Sequence, residues 1–259
     1  MGHQHLGVLP RSKQWTHVVE LISGDGGADE IAAAASKAAE ASMIDAGNDP
    51  AVRHAFWLLT QIPLAARQEH FVSELQRLGM SVGREPSLIE ISSALMAAVD
   101  RKVAASGNRT DFGEMAQLCA AESLYAVCGR ELADLFGPTN AKAQSALASF
   151  ATVKQFAVLS RDYFSRLMRR HLSYFLSREL SNHVGPSRRF NSVRDHKAFE
   201  EALDQHCREA SRIIKEFSGE WFSKHTFEGG IDPGKAGRFV HVASKKIRDE
   251  LRYRRAAHV

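Results

Sequence analysis

The chain has 259 residues, 44% of them hydrophobic, 25% charged and 8% aromatic, with 18 Gly, 7 Pro and 3 Cys. These totals describe a globular protein and exclude a collagen-like chain, a disulfide-built mini-protein and a wholly disordered one. The net charge of +4 is uneven: residues 1–100 sum to −5, residues 101–151 to zero and residues 152–259 to +9.

Ala, Leu, Glu, Arg, Lys and Gln recur throughout, and no β-rich run of period two stands out. The fold class is therefore all-α, a multi-helix bundle of about eight to ten helices with three long ones toward the C-terminus. Residues 1–12 read as loop. Met1-Gly2-His3-Gln4-His5 has no apolar stretch of the kind a secretory leader needs. His3 and His5 near a terminal amine suggest copper chelation, and a plain N-terminal arm accounts for them more simply. Helices are expected over about residues 14–22 and 29–46. Asp49-Pro50 reads as an N-cap followed by Pro at the first helical position. Two helices are expected around Pro63, which breaks the pattern. Residues 81–86 read as a joint between an acidic helical region, 1–84, and a bundle, 85–259, unless the two make one continuous domain.

Ser87-x-x-Glu90 has the form of a capping box and opens a run closed by Gly107-Asn108. Thr110-Asp111-x-x-Glu114 opens the next run, which Gly137-Pro138 ends. A short helix over about residues 140–150 is followed by long ones over about 153–180, 192–218 and 233–255. Ser192-x-x-Asp195 starts the second of these, and Asp232-Pro233 starts the third. Between Ser192 and Ser218, the residues Phe199, Leu203, His206, Ala210, Ile213 and Phe217 recur at alternating spacings of four and three. On one helix that pattern lines a narrow stripe, either a seam within the chain or the seam of a homo-oligomer.

The sequence has no H-E-x-x-H, no G-x-S-x-G, no C-x-x-C and no pair of His four apart. Gly229 to Lys235 fits G-x-x-x-x-G-K, but Ala236 stands where a phosphate loop carries Ser or Thr, and Pro233 removes a cradle N–H. No cofactor and no metal follow from these residues. Cys119, Cys128 and Cys207 cannot all pair, which suits structural thiols in a reducing compartment, and a cytoplasmic location is the expectation. No apolar run is long enough for a membrane span.

The most suggestive segment is residues 182–190. Asn182, His183, Arg188 and Arg189 lie just before an expected helix N-terminus, where unpaired N–H groups and planar guanidinium forks suit phosphate or carboxylate. Exposed arginines paired to the acidic half are the plainer account. Lys245, Arg248, Arg252 and Arg255 fall at helical spacing and form a second basic stripe that could track phosphates or simply be solvated. Trp221, Phe222 and Phe227 flank Lys224 and His225, an arrangement that could stack bases or plug a core corner. The function expected is a non-enzymatic adaptor or accessory subunit whose basic C-terminal half meets nucleic acid or an acidic protein face. The alternatives are a phosphoester- or nucleotide-directed enzyme using Asn182, His183, Arg188, Arg189, Lys224, His225 and Lys235, and a structural oligomer built on the Phe199–Phe217 seam.

Overall fold

The computed structural model describes residues 9–39, 47–107, 110–131, 140–186 and 188–257. In chain order its helices are α1 (Lys13–Ser23), α2 (Ala28–Ala38), α3 (Pro50–Ala66), α4 (Phe71–Arg77), α5 (Leu88–Ser106), α6 (Asp111–Glu131), α7 (Asn140–Ser149), α8 (Val153–Asn182), α9 (Val193–Ala210), α10 (Arg212–Phe227) and α11 (Pro233–Ala257). The fold is all-α, and the one β-type pairing among the described residues is a single bridge from Val184 to Phe190.

Local chemistry starts most of these helices. The Asp49 carboxylate accepts from the N–H groups of Ala51 (2.7 Å) and Val52 (3.2 Å) and so caps α3, with Pro50 at its first position. Ser87 caps α5 through the Glu90 N–H, but the Glu90 side chain reaches Gly83 N–H at 2.6 Å instead of closing the box. Ser192 and Asp195 form a complete box at the head of α9. Gly107 ends α5 at φ 68°, a left-handed conformation that glycine adopts without a Cβ clash.

Two boundaries differ from the sequence pattern. Pro63 does not break α3, which runs on to Ala66. Leu58, Leu59, Ile62, Ala65 and Ala66 around it are all buried, and that packing outweighs a proline cost of roughly 3 kcal/mol. The helix expected over 192–218 is instead two helices. At Ser211 ψ flattens to −2°, and its hydroxyl donates to the Cys207 carbonyl at 2.7 Å, a side-chain bond that bends helices. The buried side runs through Phe199, Leu203, Cys207 and Ala210 in α9 and Ile214, Ser218, Gly219 and Phe222 in α10.

α3 and α8 carry the centre of the bundle. α3 packs against α5, α6, α7 and α11, while α8 packs against α6, α9 and α10. Phe56 on α3 joins the two groups, with its ring 5.3 Å from Phe164, 6.1 Å from Trp221 and 5.1 Å from Phe239 between centroids. One connected set of buried side chains extends from Trp15 to Ile247, on both sides of position 84. No helix among the described residues is long and apolar enough to cross a membrane.

Candidate functional site

The loop after α8 is a tight turn closed on itself. Phe190 N–H donates to the His183 carbonyl at 3.0 Å, and Gly185 N–H to the Phe190 carbonyl at 2.8 Å, with Gly185 at φ 141°. This closure swings Arg189 toward the turn between α1 and α2. Its guanidinium donates to the carbonyls of Leu21 (2.9 Å), Ile22 (3.3 Å), Gly24 and Gly26, and lies 5.4 Å from the Phe190 ring centroid and 5.2 Å from that of Phe199. Those carbonyls are the unpaired, partly negative end of α1. Arg189, an anion ligand by sequence, is thus a helix cap in the fold. Arg188 is exposed and donates to the Asn182 carbonyl at the end of α8. Asn182 is exposed and His183 half-buried.

The helix N-terminus beside this loop has its own anion. The Asp195 carboxylate accepts from Ser192 N–H at 3.0 Å and Ser192 Oγ at 2.9 Å, while Ser192 Oγ accepts from Asp195 N–H at 3.2 Å. The G-x-x-x-x-G-K segment is built the same way. Asp232 accepts from Lys235 N–H at 2.8 Å, and Lys235 Nζ turns back to the carbonyls of Gly230 (2.7 Å) and Glu228 (3.5 Å). The backbone N–H of Lys235 first, then that of Gly234 and the nearby cations, hold the Asp232 carboxyl below its ordinary range despite partial desolvation. Both helix starts carry a carboxylate where an external phosphate would sit, because an Asp there satisfies the same N–H groups.

The two loops rest on different helices. Residues 183–190 are tied to α1, whereas Ile231 accepts at its carbonyl from Trp57 Nε1 (2.8 Å) and Gln61 Nε2 (3.1 Å) of α3. No hydrogen bond or ion pair among the described residues joins Asn182, His183, Arg188 or Arg189 to Lys224, His225 or Lys235. His225 meets the Trp221 carbonyl within its own helix at 3.1 Å from Nδ1.

The seam residues are used within the chain. Phe199, Leu203 and Ala210 are buried on α9, and Ile213 and Phe217 are half-buried on α10, with Phe217 5.2 Å from Phe239. The basic stripe on α11 is also interrupted. The buried side of that helix carries Ala236, Phe239, Val240, Ala243 and Ile247. Arg248 flanks this apolar line and is 8% exposed, with its guanidinium on Asp249 at 3.1 Å. Lys245 faces solvent, and the side chains of Arg252 and Arg255 lie outside what the structure describes, as do His3 and His5. The outward side of α11 is instead Arg238, His241, Val242, Lys245, Asp249 and Tyr253. The helical period shared by Val242, Lys245, Asp249 and Tyr253 was the signal that could have found Tyr253.

The aromatic segment at the end of α10 divides. Phe222 is buried and stacks on Phe156 at 4.0 Å, Trp221 packs on Phe239 at 4.3 Å, and Phe227 is 93% exposed. Tyr253 is 73% exposed on the neighbouring helix.

Desolvation disfavours charge on the buried histidine and cysteines. His171, buried on α8, is lowered to about 4 by desolvation, against the hydrogen bond it makes to the Ala39 backbone, and its ring stacks 5.0 Å from Phe112. Burial raises the Cys119 and Cys207 thiols to about 12, and all three cysteines are free and buried. Among the described residues no group of three or more His, Cys, Asp and Glu could hold a metal ion. A shallow, open groove of about 680 Å³ runs along Gln76, Gly79, Met80, Ser81, Val82 and Arg101, and another of about 280 Å³ lies between α1 and α2. Neither contains a nucleophile beside a base. No protein-family model, curated protein or solved structure matches the chain.

Proposed function

We propose that this protein is a non-enzymatic interaction subunit whose C-terminal helices bind single-stranded nucleic acid. One observation carries the reading. Phe227 at the end of α10 and Tyr253 on the adjoining α11 stand exposed, and Lys215, Lys224 and Lys245 on the same two helices make no ion pair among the described residues. An acidic protein face would be answered by the cations alone. Exposed aromatic rings on helices that also carry unpaired cations suit bases stacked along a phosphate backbone. The excess of +9 over residues 152–259 supports the same partner.

The test is fluorescence anisotropy with single- and double-stranded DNA and RNA across a salt series. Single strands are expected to bind more tightly than duplexes, with log affinity falling linearly with log salt. Phe227→Ala combined with Tyr253→Ala is expected to weaken single-strand binding about tenfold or more, at ~1–3 kcal/mol per stacked base. No binding at low salt would overturn the reading and assign the basic helices to an acidic protein partner.

A further inference from the structure

α8 carries five arginines, Arg161, Arg166, Arg169, Arg170 and Arg178, against two carboxylates of its own, Asp162 and Glu179, and carboxylates from α6 and α9 answer three of the five. Arg166 bonds Asp162 at 2.6 Å and reaches Glu122 at 3.4 Å, and Arg170 also takes Glu122. Asp204 lies between Arg169, at 3.1 Å, and Arg208. Arg161 and Arg212 make no ion pair among the described residues. They sit at the same corner. Arg161 on α8 donates through Nη2 to the Arg208 carbonyl at 3.1 Å, at the end of α9, and Arg212 opens α10 one turn beyond Arg208. Burial, then the charge of Arg212, then that of Arg208, lower the Arg161 pKa, with Asp162 opposing. The bend at Ser211 creates this corner, because it places the first residue of α10 beside the side of α8 that carries Arg161.

We propose that the corner formed by Arg161, Arg208 and Arg212 is a binding site for a phosphate group. A planar carboxylate, with two oxygens and one charge, is the partner Arg169 and Arg208 already share in Asp204. A phosphate carries up to two charges and presents tetrahedral oxygens to guanidinium forks arriving from three helices. The corner contains neither Phe227 nor Tyr253, so Arg212→Gln and the aromatic double variant test the two readings through different residues.

The experiment is calorimetric titration of the full chain with inorganic phosphate at constant ionic strength, with folding of each variant checked by circular dichroism. Saturable binding of one phosphate per chain is expected. Arg212→Gln should weaken it about tenfold or more, since each lost charge-assisted hydrogen bond costs that much. Arg84→Gln, in the exposed loop before α5, should leave it unchanged. Arg161→Gln is the companion variant, and Arg212→Gln guards against its loss of the bond to the Arg208 carbonyl, because the Arg212 side chain is exposed. Absence of saturable binding, or equal affinity in Arg212→Gln and the unaltered chain, would overturn the site. Oligonucleotide binding by Arg212→Gln separates two sources of the group. A salt slope reduced by about one identifies a nucleic-acid phosphate, and an unchanged slope with phosphate affinity lost identifies a free phosphate or phosphomonoester.

Discussion

At Arg189 one guanidinium holds the end of α1, bonding carbonyls from Leu21 to Gly26 while lying over two phenyl rings. Arg189→Ala removes those donors together and leaves the part-buried Leu21, Ile22 and Gly26 carbonyls without them. The expected loss is about 2–4 kcal/mol in urea unfolding. Arg189→Lys should recover only part of it, because one ammonium cannot span the same fork. His171 sets a pH dependence. It is neutral in the fold with a pKa of about 4, against about 6.5 when unfolded, so the unfolded chain binds more protons between those values. Stability from this residue is complete above pH 6.5 and is lost as pH falls toward 4, by about 3 kcal/mol at ~1.4 kcal/mol per pH unit. His54, lowered to about 4 by burial and then by Lys102, acts in the same direction with a smaller effect because it is partly exposed. Melting temperatures from pH 7.5 to 4.5 should fall less steeply in His171→Gln, which keeps a donor for the Ala39 carbonyl without the titrating ring.

Among the helix pairs, α8 with α10 is the most extensive, and Gly219 permits it. A Cβ at Gly219 would lie 2.2 Å from the Val153 carbonyl oxygen, a backbone atom at the start of α8 that cannot move aside cheaply. Gly219→Ala is therefore expected to destabilise by about 2–3 kcal/mol, although alanine is the better helix former. A chemical-denaturation midpoint equal to that of the unaltered chain would contradict this close approach. The Ser211 bend belongs to the same scale. Across it α9 packs on α2 and α8, and α10 packs on α8 and α11.

Across the whole molecule, acid and base are partly sorted by sequence but mixed again by packing. The basic α8 is met by Glu122 from α6 and Asp204 from α9, so much of its charge is spent inside the bundle. Among the described residues Lys215, Lys224 and Lys245 on α10 and α11, and Arg161 and Arg212 at the corner, make no ion pair. The binding experiments proposed for those two surfaces differ in their probes and in the variants that disable them, so either can fail alone.

The amino-acid sequence by itself determined the fold class and the helix starts at Asp49, Ser87, Ser192 and Asp232. Those signals are local: a capping side chain reaches N–H groups two or three residues away, and helical period repeats within a turn. Candidate sites were less legible. Arg188, Arg189 and Lys235 carry charge beside helix starts, yet in the fold Arg188 and Arg189 hold carbonyls at the ends of α8 and α1, and Lys235 those of Gly230 and Glu228. Arg189 and Leu21 lie 168 positions apart, and no local pattern reports that meeting. The stripe from Phe199 to Phe217 kept its period through a bend that redirects it, and Arg248 is turned inward by the apolar line beside it. Tertiary structure alone decided which cations were paired and which stayed open, because an arginine's role depends on the carboxylates and carbonyls that other helices bring to it.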